Sequence, residues 1–192
     1  MRKILVFFIV INISLMAVAQ NRGTQKKKTS GLPEGYGSLK WGMLVSGARG
    51  QIVGKIVFTD DKTVIRTKDG EIEYLYGFFY VDPALLKGGK GATDGKLFYV
   101  SVSFPYLAME DVRKKIEEKY GAATGENIRE NQGALLWDSE KTTIVMWVDA
   151  YEDKPYCRKI TYVGKEIAKE INEYQQKVFS KQELEILEKL SP

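Results

Sequence analysis

Apolar and polar residues alternate with period two along much of this chain, and that alternation predicts β-strands. The plainest case runs from Glu71 to Val81. There Ile72, Tyr74, Tyr76, Phe78 and Tyr80 share one face, while Leu75, Phe79 and Val81 share the other. A segment apolar on both faces predicts a central strand, ended here by Asp82-Pro83. Lys55–Thr59 and Thr63–Thr67 read as two strands joined through Asp60-Asp61-Lys62. The Asp69-Gly70 pair then predicts a tight hairpin of the I′ type, in which both central residues take positive φ. Leu97–Phe104 is a further strand, with Phe98, Val100, Val102 and Phe104 toward the core and Pro105 at its end. Ala134–Trp137 and Thr142–Asp149 predict a second hairpin about Asp138-Ser139-Glu140-Lys141, and Arg158–Val163 a final strand.

The period changes to that of a helix in three places. Ser46 reads as the N-cap of a short helix reaching about Val53, weakened by Gly47 and Gly50. Over Glu110–Tyr120, Val112, Ile116 and Tyr120 recur at i+4. Glu110 and Asp111 open that segment and Lys119 closes it, the order the helix dipole prefers, with Gly121 as the stop. From Lys165 a helical stripe carries Ile167, Ile171, Tyr174 and Val178. Ser180 and Glu183 form a capping box before Leu184, Leu187 and Leu190. No repeat of fixed period is present. The sum is an α+β fold: a mainly antiparallel sheet of about seven strands, one crossing helix and a C-terminal helical segment that folds back on the sheet.

The amino terminus adds an address. Met1-Arg2-Lys3 precedes an apolar run of 15 residues, Ile4 to Val18, and Ala17-Val18-Ala19 ends it. This is the build of a secretory signal peptide, and the run is shorter than the roughly 20 residues that cross a bilayer. No Cys follows the cleavage point to carry a lipid. Cleavage after Ala19 removes 19 of the 192 residues and leaves 173, enough for one domain with its own core. The expected organisation is therefore a signal peptide over 1–19, a flexible leader over 20–36, a sheet domain over 37–164 and helices over 165–192. The product is a soluble protein of the periplasm or medium, without a stable membrane anchor.

Charge and residue types narrow the chemistry. Loss of Arg2 and Lys3 lowers the formal charge from +4 to +2, which gives no electrostatic case for nucleic acid. Lys26-Lys27-Lys28 reads as part of a solvated leader. The single cysteine, Cys157, allows no internal disulfide and predicts a half-buried, inert thiol. Histidine is absent, which excludes Ser–His–Asp and Cys–His catalysis and removes the commonest zinc ligand. The glycine-rich loop Lys87–Gly95 lacks the Gly-Lys-Ser/Thr of a phosphate loop. Asp60 and Asp61 read as a solvated turn rather than a calcium cage. Glu71, Glu73, Asp138 and Asp149 are the acids from which a glycosidase pair would have to come. No cofactor or metal site is expected.

Aromatic side chains supply the remaining candidates. Tyr74, Tyr76, Phe78 and Tyr80, with Trp137 and Trp147, suit a protein, peptide or glycan surface, because Tyr and Trp combine area with a hydrogen bond. The alternative is that the row packs beneath a helix as core, with Tyr80 or Trp147 left outside.

The order Leu39-Lys40-Trp41-Gly42-Met43, Lys55-Ile56-Val57-Phe58-Thr59-Asp60-Asp61-Lys62, Tyr74 to Pro83 and Lys119-Tyr120-Gly121 resembles uncharacterised exported proteins of spirochaetes. The helix–sheet order is similar, more remotely, to small α/β envelope domains of the SmpA/OmlA and β-lactamase-inhibitor type, which bind proteins. Export, the missing catalytic residue types and the aromatic-rich strands lead to the expectation of a non-enzymatic, protein-binding or structural role in the bacterial envelope, and the second resemblance supports binding. A carrier of a small apolar or glycan ligand and a carboxylate-dependent hydrolase are the alternatives.

Overall fold

The computed structural model describes residues 31–81 and 94–178, together with 183, 186, 188 and 189. The signal peptide, the leader up to residue 30, the Asp82-Pro83 stop, most of the glycine-rich loop and the Ser180 cap lie outside the described residues. So do Leu184, Leu187 and Leu190. Two compact units are distinguished, Lys26–Asn172 and a second made of 1–25 with 173–192. In the second unit the described residues are helical.

The first unit is built on an eight-stranded sheet, antiparallel at every pairing, in the order β3-β4-β5-β6-β10-β9-β8-β7. Its strands are β3 Lys55–Thr59, β4 Val64–Asp69, β5 Ile72–Phe79, β6 Lys96–Ala108, β7 Gly125–Arg129, β8 Gln132–Asp138, β9 Thr142–Tyr151 and β10 Lys154–Gly164. A two-stranded sheet, β1 Gly35–Tyr36 and β2 Leu39–Lys40, precedes it. Three helices complete the described elements: α1 Val45–Ala48, α2 Met109–Tyr120 and α3 Lys165–Val178. The architecture is α+β with a mainly antiparallel sheet. The expected count of about seven strands and one crossing helix is corrected to eight plus two strands with three helices.

Four of the differences have local causes. Hairpin β7–β8 turns on Glu130-Asn131 and hairpin β9–β10 on Glu152-Asp153, all four residues with positive φ (50, 63, 48 and 58°). These are two-residue I′ geometries made without the glycine that usually announces them. The β4–β5 turn centres on Gly70-Glu71, and only Gly70 (φ 59°) is left-handed, so it is not the expected I′ turn. Strand β6 runs through Pro105, which lies beyond the last β5 pair (Glu73 with Ser103) and opposite the β10 bulge between Cys157 and Lys159. A missing N–H costs little there. Helix α1 is four residues, shorter than expected; Leu44 is its N-cap, and Ser46 instead donates its N–H to Asp94 Oδ2 at 2.9 Å.

Paired residues point to the same side of a sheet, so register assigns the faces. Ile65, Tyr76, Val100, Tyr162, Ile144 and Trp137 form one row on the core face. The segment from Tyr36 through Ile52 covers the β4–β6 half of that face. Helix α2, through Met109, Val112 and Ile116, covers the β8–β10 half. Trp41 Nε1 donates to Thr142 Oγ1 at 2.7 Å, and Thr142 Oγ1 donates to the Pro33 carbonyl. The second bond fastens Pro33, which the sequence assigns to the leader. The second face carries Leu75, Tyr99, Ser101, Thr161, Val145, Leu136 and Trp147. A bulge between Gly77 and Phe78 moves Phe98 out of its expected core position and sets it against Tyr99, ring centroids 6.1 Å apart.

Candidate functional site

Four of the six aromatic candidates are interior. Tyr74, Tyr76 and Phe78 are 8, 0 and 3% exposed, and Trp137 is 0% exposed. Tyr36 lies over the row, its ring 6.3 Å from Tyr74, 6.5 Å from Tyr76 and 4.9 Å from Tyr162. The Tyr76 hydroxyl accepts the Val53 N–H at 3.1 Å, and Trp137 Nε1 donates to the Gly121 carbonyl at 2.8 Å. Burial pushes the Tyr36 and Tyr162 hydroxyls well above the ordinary tyrosine value, and neighbouring tyrosines add to it. These rings hold the N-terminal segment and α2 on the sheet.

The other two candidates reach the surface. Tyr80 is half-buried, with the Lys62 ammonium 4.8 Å from its ring centroid. Trp147 is 40% exposed on the second face. The Lys159 ammonium stands 4.8 Å from its ring, and its Nε1 donates to Thr161 Oγ1 at 3.0 Å.

Trp147 is not alone. Further along the same face, at the β9–β10 hairpin, Tyr106 and Tyr151 stack with centroids 5.3 Å apart. Tyr156 meets both edge-on, at 6.1 and 5.9 Å. The Arg158 guanidinium lies 5.2 Å from the Tyr106 centroid and donates to its hydroxyl at 3.2 Å. Tyr106 and Tyr151 are 43 and 49% exposed although each packs on its neighbours. Trp147 and Tyr151 sit four residues apart on β9, so the patch extends about 14 Å along the strand. Two cations held over rings and three mutually packed tyrosines make a preorganised surface that loses little side-chain entropy on contact.

Tyr106, Tyr151 and Tyr156 fall outside the predicted strands because all three strands run longer than their sequence patterns, and Arg158 lies at the predicted start of one with nothing to mark it. Pro105 suggests the end of β6, and the patterns bound β9 at Asp149 and β10 at Arg158. Tyr151 and Lys154 close a two-residue hairpin and bond to each other, so Pro155 turns its nitrogen away from β9. On that side β6 has already ended at Ala108, opposite Tyr156. The available signal was Tyr151-Glu152-Asp153-Lys154-Pro155-Tyr156, two aromatics bracketing a possible turn.

The acids are dispersed. Glu73 on β5 and Asp149 on β9 are separated by β6 and β10, about 14 Å at ordinary strand spacing. Asp138 pairs with Thr143 at the far end of β9 from Asp149 and is held by Lys165 at 3.0 Å. Glu71 lies in the β4–β5 turn, and Glu73 faces Lys68 at 4.0 Å. A glycosidase places its pair 5–10 Å apart across a cleft. Asp60 accepts the N–H groups of Lys62, Thr63 and Val64 at 3.1, 2.8 and 2.8 Å. Partial burial would raise its carboxyl, but a hydrogen bond from the Thr63 hydroxyl together with these backbone bonds outweighs burial and holds it below the usual value. Among the described residues no three Cys, Asp or Glu side chains gather as metal ligands, and no helix is long and apolar enough to cross a membrane. Cys157 is more buried than expected, at 0% exposure, and burial pushes its thiol up to about 11. Such a thiol is a poor nucleophile.

No protein-family model, no curated protein and no solved structure matches this chain.

Proposed function

We propose that this is an exported, non-enzymatic protein of the bacterial envelope that binds a protein partner through Trp147, Tyr106, Tyr151, Tyr156 and Arg158. The observation that carries the reading is the patch itself. Tyr, Trp and Arg are the residue types in which interface hot spots are enriched, and here they are packed against one another before any partner arrives. Export rests on the charged, apolar and small-residue order of Met1 to Ala19. The carrier alternative requires Tyr74, Tyr76 and Phe78 to line a ligand space, and their burial under Tyr36 speaks against it. The hydrolase alternative requires two acids to converge, and the separations of Glu73, Asp138 and Asp149 speak against that.

The test compares the immobilised mature chain with its Trp147→Ala and Tyr106→Ala variants for retention of envelope proteins. Both positions are exposed, so the variants fold. The expected result is a partner whose affinity falls by about 2 kcal/mol, some thirtyfold, in each variant. Equal retention by all three chains, or capture of polysaccharide in place of protein, contradicts the proposal.

A further inference from the structure

The two edges of the sheet are treated differently. At one edge β7 presents Glu126, Asn127 and Arg129 to solvent, with Glu126 paired to Arg113 at 3.2 Å, and turns Ile128 toward the core. Charged side chains on an edge strand discourage pairing with another chain. The opposite edge, β3, bonds only to β4 and exposes three consecutive apolar side chains: Ile56 at 40%, Val57 at 55% and Phe58 at 53%. Val53, at 40%, extends the same strip. A bulge between Ile56 and Phe58 bends β3, but no charge or proline interrupts the run from Ile56 to Phe58, and such an edge is a template for another strand.

The charges select which strand. Lys55 lies opposite Lys68 of β4, a like-charge pair that costs energy across a ladder. Lys68 has Glu73 at 4.0 Å, whereas Lys55 has no ion-pair partner among the described residues. At the other end of β3 stand Asp60 and Asp61. The strand is therefore basic at its start and acidic at its finish, which is self-complementary only when antiparallel. Register against β4 places Lys55 and Phe58 on the second face and Ile56 and Thr59 on the core face. The bulge at Val57 resets the alternation, so the antiparallel register that matches faces outside it and sets unlike charges opposite each other pairs Lys55 with Asp60 and Ile56 with Thr59, with the two bulges meeting as Val57 opposite Phe58.

We infer that β3 pairs antiparallel with β3 of a second copy of this chain, about a two-fold axis between Val57 and Phe58, joining two sheets into one. A two-fold makes each contact twice, so both Lys55 side chains gain an acidic neighbour and both apolar strips are covered. Five residues span only about 17 Å, an interface smaller than stable complexes bury, so the dimer is weak and depends on concentration. This inference is independent of the Trp147 patch, which lies on different strands.

Sedimentation velocity of the mature chain over a concentration series is the test, with Val57→Lys and Lys55→Glu alongside. Both side chains are exposed, and circular dichroism checks that each variant keeps its fold. The expected result is a monomer–dimer equilibrium whose dissociation constant rises about tenfold or more in each variant. Mixing Val57→Cys and Phe58→Cys chains tests the register, since Cys157 is buried and stays silent. The mixed disulfide is expected to form faster than either homodisulfide, and faster than one from a control pair carrying Asn127→Cys on β7. A mature chain that is monomeric throughout, variants with wild-type association, or equally rapid cross-linking through β7 would overturn the inference.

Discussion

Tyrosine hydroxyls show most directly how burial fixes chemistry here. The chain has eleven tyrosines, and those facing the core serve as apolar bulk with a hydrogen bond at the tip. Tyr36, Tyr162 and Tyr76 are raised above 10.0 mainly because burial disfavours the phenolate. Burial likewise raises Cys157 from 9.0 to about 11. In each case the folded state holds its proton at a pH where the unfolded chain has released it. Stability is therefore complete below about pH 9 and falls as pH climbs through the unfolded values of Cys and Tyr. Tyrosinate absorbance and far-ultraviolet circular dichroism, followed together in an alkaline titration, should show two classes. Tyr36, Tyr76 and Tyr162 form the late class and ionise only as the fold is lost. Ionisation of all eleven in one step with the fold intact would contradict this. The common face of Tyr74, Tyr76 and Phe78 was legible from period two alone. What covers it was not, because Tyr36 and the Trp41–Thr142–Pro33 link come from a segment with too little periodicity to predict.

Single elements explain where the sequence and the fold part company. Strands β4, β5 and β8 and helix α2 were visible because hydrophobic periodicity and terminal residues agreed. Strand β7 was not, because Gly125–Arg129 is a polar edge with a single inward residue, Ile128. The I′ turns hid themselves by using Glu130-Asn131 and Glu152-Asp153 where Asn-Gly is the recognisable form. Left-handed backbone is strained for residues with a Cβ, so the sequence is suboptimal there. Replacing Glu152-Asp153 by Asn-Gly (E152N/D153G) should raise stability by about 0.5 kcal/mol. Only the Asp153 carbonyl is used by a neighbour, Asn131 Nδ2 at 2.9 Å, so no side-chain bond is lost. Gly70→Ala, at φ 59°, should lower stability by about 1 kcal/mol. Urea midpoints of the variants check both signs, and a destabilised E152N/D153G would show that the turn is not strained.

At the scale of the molecule, one sheet has two uses for its faces. The core face is closed by the N-terminal segment and α2, and Tyr36, Trp41, Tyr74, Tyr76, Phe78, Trp137 and Tyr162 pack there. The second face keeps Trp147 and the Tyr106–Tyr151–Tyr156 cluster outside, each steadied by a cation or another ring. That division could not be read from residue types, because tyrosines with similar sequence surroundings fall on opposite sides of the sheet. It follows from register, which Pro105 and two bulges obscured. The most direct measurement is photo-cross-linking in intact cells, with a photoreactive amino acid placed in turn at Tyr106, Tyr151, Lys115 and Asn127. The account predicts a discrete protein adduct from Tyr106 and Tyr151, abolished by Trp147→Ala, and none of that mass from Lys115 on α2 or Asn127 on β7. The same adduct from all four positions, or none from Tyr106 and Tyr151, would contradict it.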